Sequence, residues 1–152
     1  MNKIPWPVEQ LLPHSRSMVL LDEAIDAGED WAMAGVRIAE DCLFYDPQAR
    51  GVPAWVGIEY MAQTVALFSG VHAQMAGQAV KLGLLLGTRR YEAFCDSFSL
   101  GSYLTVRVSR EWDDGQMAVF DCTVSREREL ASARINVYLP DNLAALLAGA
   151  AP

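Results

Sequence analysis

Along residues 50–77, RGVPAWVGIEYMAQTVALFSGVHAQMAG, apolar positions recur at helical spacing on nearly every side and polar ones are few. The pattern predicts one helix from Pro53 to about Gly77, roughly 25 residues and about 37 Å long at 1.5 Å per residue. Pro53 suits the first turn, where a missing N–H costs nothing. Elsewhere the period shortens to two. SMVLLDEAIDAGED reads as a strand turning at Gly28, and WAMAGVRIA reads as its antiparallel partner. After the helix, AVKLGLLLGTRRYEAF has the near-continuous apolar character of a strand buried on both faces. SYLTVRVSREW alternates, with Leu104, Val106, Val108 and Trp112 on one face. DDG marks a tight hairpin before QMAVFDCTVSRE and LASARINVYL, two further strands. PVEQLLP near the start could form two helical turns, and DNLAALLAGAAP at the end reads as a short helix or a frayed tail.

One long helix among antiparallel strands makes an α+β domain, expected as a single unit over residues 1–152. Because the helix is apolar nearly all round, a curved sheet must wrap it.

The residue at odds with this pattern is Glu59. Its face continues through Gln63, Ala66, Gly70, Ala73 and Gly77, while Tyr60, Phe68, Val71 and Met75 make the opposite face bulky. The small residues read either as a close-packing surface or as a slot for a thin acyl chain. A carboxylate near a helix start is stabilised by the exposed N–H groups, but a helix beginning at Pro53 leaves Glu59 beyond the capping positions. Gln63 lies four residues on, where its amide can reach and orient the carboxyl. A partly desolvated carboxyl steered by an amide is suited to general acid–base chemistry. His72, 13 residues further along, would lie about 20 Å away along the axis and cannot serve the same site. His14 is distant in sequence and nothing local prevents its approach, although a histidine that ties down the N-terminal turn is the favoured structural account.

Composition removes several alternatives. A net charge of −7 argues against nucleic acid as the main partner, although Arg89, Arg90 and Arg110 could form a local basic patch. Polar residues interrupt the apolar segment, so no membrane span is expected. MNKIPWPVEQ lacks the apolar core of a signal peptide. The three cysteines, Cys42, Cys95 and Cys122, have neither disulfide nor metal-ligand spacing, and read as small core residues in a reducing compartment. A cytoplasmic location and no metal site are expected.

Three stretches carry a family resemblance: LLPHSRSMVLLDEA, VPAWVGIEYMAQ with its Glu-x-x-Ala-Gln, and RRYEAFCDSFSLGSYLTVRV with its Gly-x-x-Leu turn. The chain resembles hotdog-fold dehydratases that act on 3-hydroxyacyl thioesters of acyl carrier protein. Within that group it is most similar to the dehydratase-like proteins encoded with aryl polyene biosynthesis genes. The resemblance implies a six-stranded antiparallel sheet around one central helix. It implies a dimer joined sheet edge to sheet edge, with itself or with a related dehydratase, and active sites at that interface. It also implies elimination of water to give a trans-2-enoyl thioester, with no cofactor beyond the phosphopantetheine arm that carries the substrate. Glu59 would handle the proton at the hydroxyl, Gln63 would follow it in the motif, and backbone N–H groups of Val56 or Gly57 would hold the thioester carbonyl. The three arginines would steer docking of the carrier protein.

The chain departs from that family where its catalytic histidine should precede the glutamate in a His-Phe-Pro-Gly motif. Here stand Tyr45, Asp46 and Pro47, and no histidine occurs between residues 15 and 71. Either Tyr45 or Asp46 substitutes, or His14 takes over, or the subunit acts beside a competent relative. A thioesterase on the same fold, whose helix carboxylate activates water, is the enzymatic alternative. A catalytically weak accessory subunit is the non-catalytic one.

Overall fold

The computed structural model describes residues 2–12, 18–78 and 84–138. His14, Arg16 and the C-terminal tail, expected as a short helix or a frayed end, lie outside these. The elements are β1 (Asn2–Lys3), α1 (Val8–Leu11), β2 (Glu23–Ala27), β3 (Trp31–Arg37), β4 (Gly51–Pro53), α2 (Gly57–Met75), β5 (Leu84–Ala93), β6 (Ser97–Ser99), β7 (Tyr103–Asp113), β8 (Met117–Ser125) and β9 (Glu129–Tyr138).

Six strands form the antiparallel sheet in the order β2-β3-β7-β8-β9-β5, with the two-residue β1 added outside β2. A second small sheet pairs β4 with β6. The large sheet lies around α2, which touches β2, β3, β7, β8 and β9. Every second residue of the central strands is buried against the helix: Ala32, Ala34 and Val36; Leu104, Val106 and Val108; Ala118, Phe120, Cys122 and Val124; and Ala131, Ala133, Ile135 and Val137. This alternation is the period of two made physical, since successive strand side chains point to opposite faces.

Several expectations change, each for a local reason. Trp112 does not join Leu104, Val106 and Val108 inside. A register shift between Arg110 and Trp112 places it opposite Val119, and it is 52% exposed. One bulged residue reverses the facing of all that follow. The strand from Glu23 is shorter than its apolar pattern, because Met18 and Leu20 hydrogen-bond to a helix side chain. β5 is not buried on both faces: it ends the sheet, is bulged twice, and leaves Arg89 and Arg90 exposed. The N-terminal segment makes one helical turn, burying Val8 and Leu11.

The DDG hairpin forms as read. Asp113 Oδ1 accepts the Gly115 N–H at 2.7 Å, and Asp114 Oδ1 accepts those of Gln116 and Met117 at 3.0 and 2.8 Å. Gly115 has φ 95°, a left-handed conformation that glycine adopts without steric cost.

Candidate active site

The helix begins later than Pro53. Gly51–Pro53 pair as a strand and Ala54–Val56 make a 3₁₀ turn, so α2 starts at Gly57. Glu59 therefore occupies the first helical turn, where the N-terminal dipole favours its charge by about 0.3–1 kcal/mol. The structural role discounted in the sequence thus gains weight, and it coexists with a chemical one.

Glu59 is half-buried. One turn on, Gln63 is 1% exposed and its amide is used at both ends. Nε2 donates to the Met18 carbonyl at 2.8 Å and to Glu59 Oε1 at 3.2 Å, and Oε1 accepts the Leu20 N–H at 2.9 Å. These partners assign the amide orientation, because only the carbonyl end can receive an N–H. Gln63 thereby holds the carboxyl of Glu59 and sutures the Met18–Leu20 stretch to the helix. His14 lies four positions before Met18, outside the described residues.

The small-residue stripe is explained by packing. A Cβ at Gly70 would lie 2.0 Å from the Leu11 carbonyl oxygen, so the glycine lets α1 sit directly on α2. Gly57 is likewise a point of close approach, where a Cβ would meet Tyr91 Oη at 2.4 Å and the Phe98 ring at 3.1 Å. The Gly57 N–H bonds back to the Ala54 carbonyl, the i→i+3 pattern of a 3₁₀ turn. Tyr91 on β5 also donates to that carbonyl. Burial of the Tyr91 phenol, with a smaller effect of Cys95, pushes its pKa up to about 12, so it remains a donor through the neutral range.

Before the helix, residues 38–50 fold into a loop over a cavity of about 580 Å³. Val19 and Leu20 form one wall, Cys42, Leu43, Phe44 and Tyr45 another, and the Tyr60 side chain a third. Glu59 is not part of that wall among the described residues of one chain. Asp46, in the expected histidine region, is committed to the turn. Its Oδ1 accepts the Gln48 N–H at 2.9 Å, and its backbone exchanges hydrogen bonds with Gly51 at 2.8 and 3.3 Å. Phe44 is held at φ 72°, a costly conformation for a bulky residue. Its ring meets Trp55 edge-on at 5.3 Å, and the two are 42% and 60% exposed. Nothing in the periodicity marked Tyr60, Tyr91 or this aromatic pair. Tyr60 was assigned only to the bulky face, which does describe its packing on Phe98 at 5.8 Å.

The three arginines expected to form a basic patch separate. Arg89 and Arg90 are exposed on β5. Arg110 is occupied by ion pairs with Asp30 at 2.7 Å and Asp113 at 2.9 Å. His72 stays remote from Glu59, stacking on Phe68 at 4.4 Å with its Nε2 at 3.2 Å from the Gly28 carbonyl. Cys122 is in the core, and Cys42 and Cys95 pack against it, all three as free thiols. Among the described residues no helix is long and apolar enough to cross a membrane.

Residues 6–148 match the model of a family described as ApeP-like, ApeP dehydratase. No curated protein sequence matches the chain. Among solved structures, the dehydratase heterocomplex ApeI:P from Xenorhabdus doucetiae aligns with a TM-score of 0.86 and 28% identity, covering 96% of this chain and 99% of that one. The E. coli PaaI protein from the phenylacetic acid degradation operon aligns at 0.60 with 13% identity, over 76% of this chain and 81% of that one. A hypothetical thioesterase with coenzyme A from Streptococcus pneumoniae TIGR4 aligns at 0.62 with 10% identity, over 78% and 84%. The last two likenesses concern the hotdog fold alone.

Proposed function

The chain belongs to the ApeP-like dehydratase family, and on that premise we propose that it eliminates water from a 3-hydroxyacyl thioester carried on the phosphopantetheine arm of an acyl carrier protein. The observation that carries this reading is the Glu59–Gln63 contact: a half-buried carboxyl at a helix start, steered by a fully buried amide that also ties down the chain following His14.

In the reaction a base removes the C2 proton, the C2–C3 double bond forms, and the C3–OH bond breaks with its oxygen leaving as water. Glu59 donates the proton to that departing oxygen. His14 is the base we propose, from this chain or across a subunit interface, with Tyr45 on the cavity wall contacting the acyl group. Gln63 keeps the carboxyl aimed while the proton moves. The thioester carbonyl, which gains negative charge, faces the N-terminal end of α2. Since the Gly57 N–H is directed at Ala54 in the resting chain, that bond opens or is shared when the carbonyl binds. Among the described residues no strand pairs with the outer edge of β5, which fits the sheet-to-sheet pairing of two subunits, because an unpaired strand edge offers a row of N–H and C=O groups.

A second reading is favoured by the Asp46 geometry. With no histidine in the loop and Asp46 held in its turn, this subunit would support a competent dehydratase in a mixed complex. The likeness to a dehydratase heterocomplex supports it. Incubation with a 3-hydroxyacyl carrier protein, read by mass spectrometry, separates the readings. Loss of water by the chain alone supports catalysis, and loss only with an added dehydratase subunit supports the accessory role. Release of free acid would replace both with a thioesterase.

A further inference from the structure

A second pocket, of about 530 Å³, opens beside Phe98 and between two turns. β6 supplies Ser97 and Ser99, and the turn that follows it supplies Ser102. The other joins β8 to β9 and supplies Arg126 and Arg128, closed by a hydrogen bond from the Arg126 N–H to the Arg128 carbonyl at 3.1 Å. The two turns are joined across the pocket, where Arg126 Nη1 donates to Ser102 Oγ at 3.1 Å. Ser102 is 2% exposed, so this contact fixes the guanidinium at the pocket wall. Phe98, 1% exposed, lines this pocket, and its ring also makes the close approach to Gly57 at the start of α2.

The charges of this pocket are unbalanced. Among the described residues, the ion pairs involve Arg110 and Arg134 but neither Arg126 nor Arg128. Two arginines and one carboxylate, Glu127, line the pocket, and Glu129 follows Arg128 in the chain. In a chain of net charge −7, a pocket lined by more arginines than carboxylates is the exception. Serine hydroxyls beside guanidiniums match the donor requirements of a tetrahedral oxyanion: the planar fork spans two oxygens and the hydroxyls reach the others. A carboxylate ligand would satisfy the arginines and leave much of the hydroxyl set unused.

We infer that the Arg126–Arg128 turn, with Ser97, Ser99 and Ser102, forms a binding site for a phosphate group. Arg126, held by Ser102, is the preset donor, and Arg128 closes on the anion from the opposite end of its turn. The phosphate could belong to a phosphopantetheine-type arm or be free in solution, and the chemistry of the pocket is the same for both. The inference does not rest on the dehydratase reading, because it concerns binding and involves no residue assigned to proton transfer.

The test is calorimetry on the full chain at low salt with inorganic phosphate, 4′-phosphopantetheine and pantetheine, together with amide NMR shifts. Inorganic phosphate and phosphopantetheine should bind and shift the amides of Ser97, Ser99 and Arg128, whereas pantetheine should not. Tighter binding of phosphopantetheine identifies the arm as the source, and equal binding identifies free phosphate. Arg128→Gln should weaken binding about tenfold, the scale of one charge-assisted hydrogen bond, with an unchanged melting temperature. Arg126→Lys, which keeps the charge but loses the fork, should weaken it less. Glu59→Gln should leave binding intact, so loss of catalysis and loss of this site are distinguishable. Pantetheine binding as well as phosphopantetheine, no phosphate binding, or shifts confined to other residues would overturn the inference.

Discussion

Gln63 Nε2 lies 3.2 Å from Glu59 Oε1 and 2.8 Å from the Met18 carbonyl oxygen, so one buried amide couples the acidic side chain to the chain segment before β2. Replacing Gln63 by Met keeps the volume and removes all three hydrogen bonds. The Leu20 N–H and Met18 C=O then lose a buried partner, at about 1–3 kcal/mol for each unsatisfied group. Urea denaturation should show that loss, and dehydration should slow in parallel. Gln63→Glu keeps an acceptor for Leu20 but sets a second carboxylate beside Glu59. Its stability deficit, which comes from like-charge repulsion, should shrink as salt is added, and a salt-independent deficit would remove the coupling.

Glu59→Gln should abolish enoyl product while leaving the fold intact, because the amide is isosteric and still reaches Gln63. Circular dichroism and the mass-spectrometric assay check both halves. Undiminished product would remove Glu59 from the mechanism.

The Gly70–Leu11 contact separates packing from ligand binding. Gly70→Ala puts a methyl 2.0 Å from a backbone carbonyl oxygen that cannot swing aside. It should cost about 1–3 kcal/mol through forced separation of α1 from α2. Gly87→Ala, whose Cβ would meet nothing within 4 Å, should stay within about 0.5 kcal/mol. Equal stability of the two variants in denaturant would contradict the packing account of the small-residue stripe.

Alkaline pH should unfold the protein through its tyrosines. Burial raises the Tyr91 pKa to about 12. Burial, followed by the hydrogen bond to Glu23, raises that of Tyr103 to about 12. Burial moves Tyr60 further in the same direction. Each folded-state pKa exceeds the unfolded value near 10, so the folded chain holds these protons more tightly. Their contribution is complete below about pH 10 and is lost as pH rises toward 12. Denaturation midpoints should be flat with respect to these groups near neutrality and fall across that window. Tyr91→Phe should reduce the slope there, and an unchanged slope would disprove its share.

Much of the architecture was legible in the order of residues. The period-two strands and the long apolar segment are enforced locally, since burying one face of a strand or most of a helix requires those spacings whatever else the chain does. The Glu59–Gln63 pair was legible for the same reason: residues four apart on a helix are neighbours by geometry. Deviations came where a non-local partner competed. Gln63 took the Met18 and Leu20 backbone groups from a would-be strand, the bulge at Arg110–Trp112 turned Trp112 outward, and the edge position of β5 exposed a stretch that looked buried.

The sequence by itself determined the element types, the helix face bearing the carboxyl, and the family pattern with its missing histidine. Only the tertiary structure decided that the helix starts at Gly57, that Gly70 serves packing on Leu11, that Asp46 belongs to a turn, and that Arg126 and Arg128 line one pocket with three serines. The physical reason is range: helical and strand periodicity act between near neighbours, whereas carbonyl contacts, turn-to-turn hydrogen bonds and unbalanced charge arise between segments tens of residues apart and exist only once the chain has folded.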